Sequence, residues 1–338
     1  MDEKNIYLEQ YGKMPEKKVY SGIDTIKLVC SVLIVYMHTY CWDTGSFGLW
    51  VRDEVASIAV PFFFISSGYF YGIGIRCSED KKGYFFHYFV RVLKMYIIWT
   101  VFSLPAAWYN ISMAHGEYSM IMKLFYLIRS FFFTGSIGVY WYLLSLIYNS
   151  VILYLVYTKK MEKVMYFLAV IFFAIGVLNA ASLLSGTMVE KLIHYAFGSE
   201  RNFLNVGLFY MVIGYFLSDK VIEVKRSTAM IGFILLLGVQ TIVNSTISVR
   251  FVHAFTAVAL FIWAHQMEMT AIQSFSKKIR KLSTAIYLIH FPFILLFDFY
   301  LCKGTLVDFS STLIFVIVLY LVTSRVLPKK WVSIIYGN

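Results

Sequence analysis

The feature that most constrains this chain is a succession of apolar stretches, each long enough to cross a bilayer as a helix. Such a span needs about 20 apolar residues. About ten stretches qualify, at roughly 24–42, 54–75, 86–109, 137–157, 163–184, 203–218, 228–247, 250–266, 281–302 and 307–326. Only 14% of the 338 residues are charged and 59% are hydrophobic, against about 25% and 45–50% in soluble domains. Too few charges remain to cover a soluble surface, so lipid is the solvent for much of the chain. The expected fold is all-α, a polytopic transmembrane helical bundle of about ten spans with the N- and C-termini inside. Residues 1–22 then read as a cytoplasmic N-terminal tail, 23–328 as the transmembrane domain and 329–338 as a short cytoplasmic C-terminal tail.

Charge supports that layout. With the N-terminus inside, every inside segment carries at least three Lys or Arg, and no outside segment carries more than two. This is the bias expected of cytoplasmic loops. It also accounts for the net charge of +11, which in a soluble protein would suggest nucleic acid; no nucleic-acid partner is expected here. The polar N-terminal stretch is not followed by a short apolar region with a cleavage site, so it is not read as a signal peptide. Residues 120–134 are apolar but contain Lys123 and Arg129, which suits an interfacial amphipathic helix. Residues 186–201 read as an irregular, non-spanning piece. Cys30, Cys41, Cys77 and Cys302 show no CxxC or metal-type spacing. They are expected to be ordinary helix residues, with neither a disulfide framework nor a metal.

Ionisable residues inside spans are costly and point to function. In the first span, Lys27 and His38 are eleven residues apart, which places them about 20° apart around a helix and about 16 Å apart along it. Asp24 lies on the same side, near the inner end. Imidazole is the side chain best suited to proton transfer near neutral pH. His38 is therefore a candidate base, with a plain hydrogen bond between helices as the alternative. In the third span Arg91 and Lys94 lie one turn apart, either as a phosphate-type anion site or as cations that snorkel to lipid head groups.

Other polar positions carry two readings each. Ser66, Ser67 and Gly68 are small residues in the second span that suit close helix packing; Ser67 is also a candidate substrate contact. His290 and Tyr287 share a face of the ninth span, as a hydrogen-bonding pair or as substrate contacts, and Pro292 can free backbone carbonyls beside them. Glu200, Arg201 and Asn202 precede the sixth span, where they could grip a hydroxylated acceptor or cap the helix. His253, His265 and Asp298 read as boundary residues.

Five motifs together resemble the acyltransferase 3 family: GID-x-x-K-x10-H in span one, VPFFFISSGY in span two, R-x-x-K-x-Y in span three, YWYLLSL from Tyr140 to Leu146, and YLIHFP from Tyr287 to Pro292. The resemblance implies an integral membrane enzyme of ten core spans. Such enzymes move acyl groups, usually acetyl, from cytoplasmic acyl-CoA to sugars of surface glycans. It implies that His38 is the essential histidine, assisted by Asp24, and that Lys27, Arg91 and Lys94 hold the acyl-CoA phosphates. Lysine replaces the family's usual arginine at positions 27 and 94, keeping the charge but losing the bidentate fork. Ser67, Trp141, Arg201, Tyr287 and His290 would contact the acceptor. The implied partners are the lipid bilayer of a bacterial cytoplasmic membrane, a glycan or lipid-linked sugar acceptor and polysaccharide-synthesis proteins. The family's common extracellular esterase-like domain is not in this sequence, so a separate partner or direct transfer to the acceptor is expected.

The stretch FGSERNFLNVGLFYMVIGYFL also resembles the membrane half of vancomycin-resistance serine racemases, which is thought to take up L-serine. The alternative function is therefore a transport module of a racemase-type system.

Overall fold

The computed structural model describes residues 19–39, 45–114, 116–199, 201–247, 251–300 and 306–337. Cys41, Cys302, Glu200 and most of the N-terminal tail lie outside the described residues, as does the side chain of Asp298.

The described residues are helical and contain no strand. In chain order the helices are α1 (Ser21–Thr39), α2 (Ser46–Cys77), α3 (Lys81–Phe102), α4 (Leu104–Ala114), α5 (Met120–Phe133), α6 (Trp141–Lys159), α7 (Glu162–Ala180), α8 (Met188–Phe197), α9 (Phe203–Leu217), α10 (Arg226–Ile247), α11 (Val252–Gln266), α12 (Ser276–Tyr300), α13 (Leu306–Val326) and α14 (Lys329–Tyr336). Seven stretches among the described residues are long and apolar enough to cross a membrane: α1, α2, α3, α5–α6, α7, α10 and α13. The other expected spans fall on α9, α11 and α12. The first two are shorter apolar helices, and at 1.5 Å per residue 15 residues reach only about 22 Å of a core about 30 Å thick. The third opens with Lys277, Lys278, Arg280 and Lys281, and its side chains at 296–300 lie outside the described residues.

The apolar surface is divided as a lipid solvent requires. Helices α1 and α2 are largely buried, whereas α7, α10 and α13 expose most of their length. Ile234 and Leu235 on α10 and Ile314 and Val318 on α13 point outward, where lipid can cover them. Close packing at the centre comes from small residues. A Cβ added at Gly68 on α2 would collide with the carbonyl oxygen of Met211 on α9, and one at Gly214 on α9 with that of Ile65 on α2. The small-residue motif of the second span therefore works as a helix-packing seam.

Helices α1 and α12 run parallel in a fixed register. Arg280 pairs with Asp24, and Ser283 donates to the Lys27 carbonyl at 2.9 Å.

Three expectations need correction. Residues 186–201 are not merely irregular: Thr187 caps a ten-residue helix, α8, and Gly198 ends it at φ 74°. The third span begins at Lys81, where the Asp80 side chain caps the helix. It ends at Phe102, and Pro105 then occupies the first turn of α4, where it needs no N–H partner. The segment expected as a short C-terminal tail is helical, and α14 buries Val332 and Tyr336. Trp99 of α3 donates to the Ile335 carbonyl at 2.9 Å.

Candidate active site

A cavity of about 610 Å³ opens at the His38 end of α1, within the ~300–1,000 Å³ range of small-molecule sites. His38 lines it, one turn beyond Ile34. The opposing walls bring Trp141, Arg201, Tyr210 and Tyr287 together from four other parts of the chain. Sequence reasoning missed several of its neighbours. Arg52 and Asp53, ion-paired at 2.9 Å in the π-helical turn of α2, line the same space. So does His253, whose Nε2 approaches the Asp53 carbonyl at 3.4 Å. The available signal was the charged Arg52–Asp53–Glu54 run at the edge of an apolar stretch. It looks like a loop until the irregular turn carries it back over the bundle.

Proline chemistry positions the far wall. Pro292 has no N–H and leaves the Leu288 carbonyl without its helical donor. Tyr140 supplies that donor, its hydroxyl reaching the Leu288 oxygen at 2.9 Å and Ser103 Oγ at 2.9 Å. Tyr287 Oη donates to the Val139 carbonyl. These bonds pin the 3₁₀ turn Gly138–Tyr140 onto α12 and so fix Trp141, the next residue, in the cavity wall. The indole packs on Phe64, ring centres 5.4 Å apart.

His290 sits just behind. It is fully buried, and its ring centre lies 5.5 Å from that of His38 with the planes tilted by 32°. Its Nδ1 donates to the carbonyls of Ile286 and Tyr287 at 3.0 and 2.7 Å. It does not line the cavity itself.

The expected cations occupy the other end of α1. Lys27 Nζ lies 5.1 Å from the Phe70 ring centre, and the Arg91 guanidinium 5.3 Å from that of Tyr88. Lys94 is on the exposed flank of α3, away from this group. Asp24 is fully buried and bound by Arg280 and Ser276. It is fourteen residues from His38, roughly 21 Å of helix rise, and its bonds to Arg280 and Ser276 join α1 to α12.

An aromatic layer separates the two ends. Along α2, Ser57 and Pro61 face the cavity, Phe63 and Phe64 follow, and Phe70 reaches Lys27. Ser67 Oγ hydrogen-bonds Tyr142 Oη at 2.8 Å within this layer, so it does not line the cavity. The rings of Phe63, Tyr142 and Tyr287 lie 5.3–6.1 Å apart. Among the described residues no group of three or more His, Cys, Asp or Glu side chains could hold a metal.

The chain is 28% identical over 218 residues to an amino-acid racemase of Enterococcus faecalis, covering 61% of this chain and 29% of that protein. It is 26% identical over 161 residues to a serine/alanine racemase of Enterococcus gallinarum, covering 46% of this chain and 22% of that protein. A second amino-acid racemase of Enterococcus faecalis is 23% identical over 251 residues, covering 70% and 34%. The chain thus spans about a third or less of the length of these relatives. No solved structure matches it. The acyltransferase domain model, Acyl_transf_3, matches residues 20–325. That match takes in every helix from α1 to α12 and nearly all of α13, and the chain belongs to the acyltransferase 3 family.

Proposed function

We propose that this membrane acyltransferase is an O-acyltransferase, moving an acyl group, most simply acetyl, from cytoplasmic acyl-CoA to a hydroxyl of a glycan or lipid-linked sugar. The observation that carries this reading is the position of His38, an imidazole on the wall of a cavity whose other walls offer aromatic faces and paired charges. Aromatic faces suit the apolar side of a sugar ring, and arginine and carboxylate groups suit its hydroxyls.

In this reading Lys27 and Arg91 hold the donor's phosphates at the cytoplasmic end. Lys94, on its exposed flank, contributes by snorkelling to head groups. The extended pantetheine arm, roughly 15–20 Å long, matches the rise of about 16 Å from Lys27 to His38. The thioester passes Ser67, Tyr142 and Tyr287, so these residues must yield to admit it. His38 takes the proton of the acceptor hydroxyl as its oxygen attacks the thioester carbonyl. The carbon–sulfur bond breaks, and the proton returns from His38 to the leaving thiolate. Holding both substrates across one cavity supplies further rate through proximity.

The test is His38→Ala, assayed for glycan acetylation in cells and for transfer from labelled acetyl-CoA by the purified protein. General-base removal costs about 10²–10⁴-fold in rate. Full activity in a normally expressed variant would end this proposal.

The racemase relatives favour a second reading. Arg201 and the Arg52–Asp53 pair offer both signs of charge to a zwitterion. The chain would then be a module that takes up an amino acid such as L-serine. Uptake of labelled serine into proteoliposomes, without turnover of acetyl-CoA, is the result that selects it.

A further inference from the structure

We propose that His290 is a positioning residue for His38, accepting its ring N–H and so fixing which imidazole nitrogen faces the cavity. This rests on the acyltransfer reading above. His290 Nδ1 lies 3.0 and 2.7 Å from the carbonyl oxygens of Ile286 and Tyr287. Carbonyls only accept, so Nδ1 carries the proton and Nε2 of the neutral ring bears the lone pair. That Nε2 is buried and has no hydrogen-bond partner among the described residues. A buried acceptor left without its hydrogen bond is costly, so its retention calls for a donor.

His38 is the donor within reach. Two imidazoles joined by an in-plane N–H···N bond of about 2.9 Å have ring centres about 5 Å apart. The observed 5.5 Å is about half an ångström longer, with the two ring planes 32° from parallel. Phe291 closes one side, its ring centre 5.4 Å from His38, and His290 itself is fully buried. The loosened helix around Pro292 leaves room for the remaining approach. One His38 nitrogen then points back to His290 and the other presents its lone pair to the cavity. No proton passes to His290: the acceptor's proton moves to His38 and from there to the thiolate.

The arrangement resembles a nucleophile–base–orienter array, with the orienter a neutral imidazole in place of a carboxylate. Its contribution is one of tautomer and direction, and loss of such an outer partner costs about 10–100-fold.

The experiment uses the full chain in nanodiscs with acetyl-CoA and a glycan acceptor, together with side-chain ¹⁵N NMR of the histidines. His290→Leu should lower kcat about 10–100-fold with both KM values within about twofold. It should also move the His38 nitrogen signals toward a mixture of tautomers. His290→Gln, whose carboxamide oxygen can accept in place of Nε2, should recover part of kcat. Full kcat in His290→Leu while His38→Ala is inactive overturns the positioning role and leaves the acyltransfer reading standing. Activity in His38→Ala overturns that reading instead. The NMR arm decides the pairing independently of activity: unchanged His38 signals in both His290 variants overturn it. If His290→Leu does not fold, His290→Gln carries the same measurements.

Discussion

Arg280 grips Asp24 through two parallel hydrogen bonds, Nε to Oδ1 at 2.9 Å and Nη2 to Oδ2 at 2.8 Å, around a carboxylate that is fully buried. Ser276 Oγ donates to the same carboxylate. With its lone pairs so engaged, Asp24 is a clamp between α1 and α12. Asp24→Ala should therefore lower thermal stability in detergent while the remaining folded protein keeps near-normal kcat. Removing one partner of a buried pair costs about 3–5 kcal/mol. The Arg280 side chain is 37% exposed, and solvent screening brings the loss below that range. A fully stable but inactive Asp24→Ala would return this residue to the chemistry.

The two halves of the donor-binding expectation separate on exposure. Arg91 is half-buried beside Tyr88, whereas Lys94 faces out of the bundle. Charge-assisted hydrogen bonds contribute about 1.5–3 kcal/mol. Arg91→Gln should accordingly weaken acetyl-CoA binding about 10- to 150-fold, and Lys94→Gln should change it by less than about threefold. Titration calorimetry of the purified variants checks this. Equal losses in both would place Lys94 at the phosphates after all.

How far the sequence carried this picture depends on the kind of signal. Spans are written in runs of apolar residues, and the Lys27–His38 stripe follows from helix geometry alone, so both were legible. Gly68 announced the α2–α9 seam because only small residues let backbones approach. The cavity was harder to see. Arg52, Asp53 and His253 come from span ends; the π-helical turn of α2 carries the first two, and the start of α11 the third, to the cavity that His38 lines. Asp24 and Lys27 share a face with His38, yet helix periodicity does not say which neighbour takes each residue. The answer came from Arg280 and Phe70, more than 40 residues away in sequence. Helices α8 and α14 are amphipathic and too short to span, so hydropathy alone passed over them.

The reciprocal glycines give a sharp packing test. At Gly68 and Gly214 an added side chain meets backbone carbonyls of the facing helix, which cannot rotate away. Overpacking of this kind costs about 1–3 kcal/mol or more. Gly68→Leu and Gly214→Leu should each reduce the monodisperse protein recovered from membranes, measured by fluorescence-detected size exclusion. Ser67→Ala, next to Gly68, removes only the 2.8 Å bond to Tyr142, at about 1 kcal/mol. It should leave that yield nearly unchanged.

A last expectation concerns Glu54, a buried carboxylate that joins the peripheral helix α10 to α2. Asn244 Nδ2 reaches both its oxygens at 3.0 and 2.8 Å, and Gln240 Nε2 reaches Oε2 at 2.8 Å. Gln240 Nε2 also reaches the Glu54 backbone carbonyl at 3.0 Å. Helix α10 otherwise exposes most of its length, so these bonds, the 2.9 Å bond from Trp50 Nε1 to Thr241 Oγ1 and its packing on α11 hold it in place. Interhelical hydrogen bonds in membranes average about 0.6 kcal/mol, and about 1–2 kcal/mol in peptide systems. Losing the carboxylate removes three side-chain contacts together. Glu54→Ala should therefore destabilise the protein by about 1–3 kcal/mol. Hydrogen exchange should rise in α10 before it rises in α1 or α12, because α10 is the least buried of the seven candidate spans. Uniform exchange across all helices would mean that Glu54 supports the whole bundle and not this one edge.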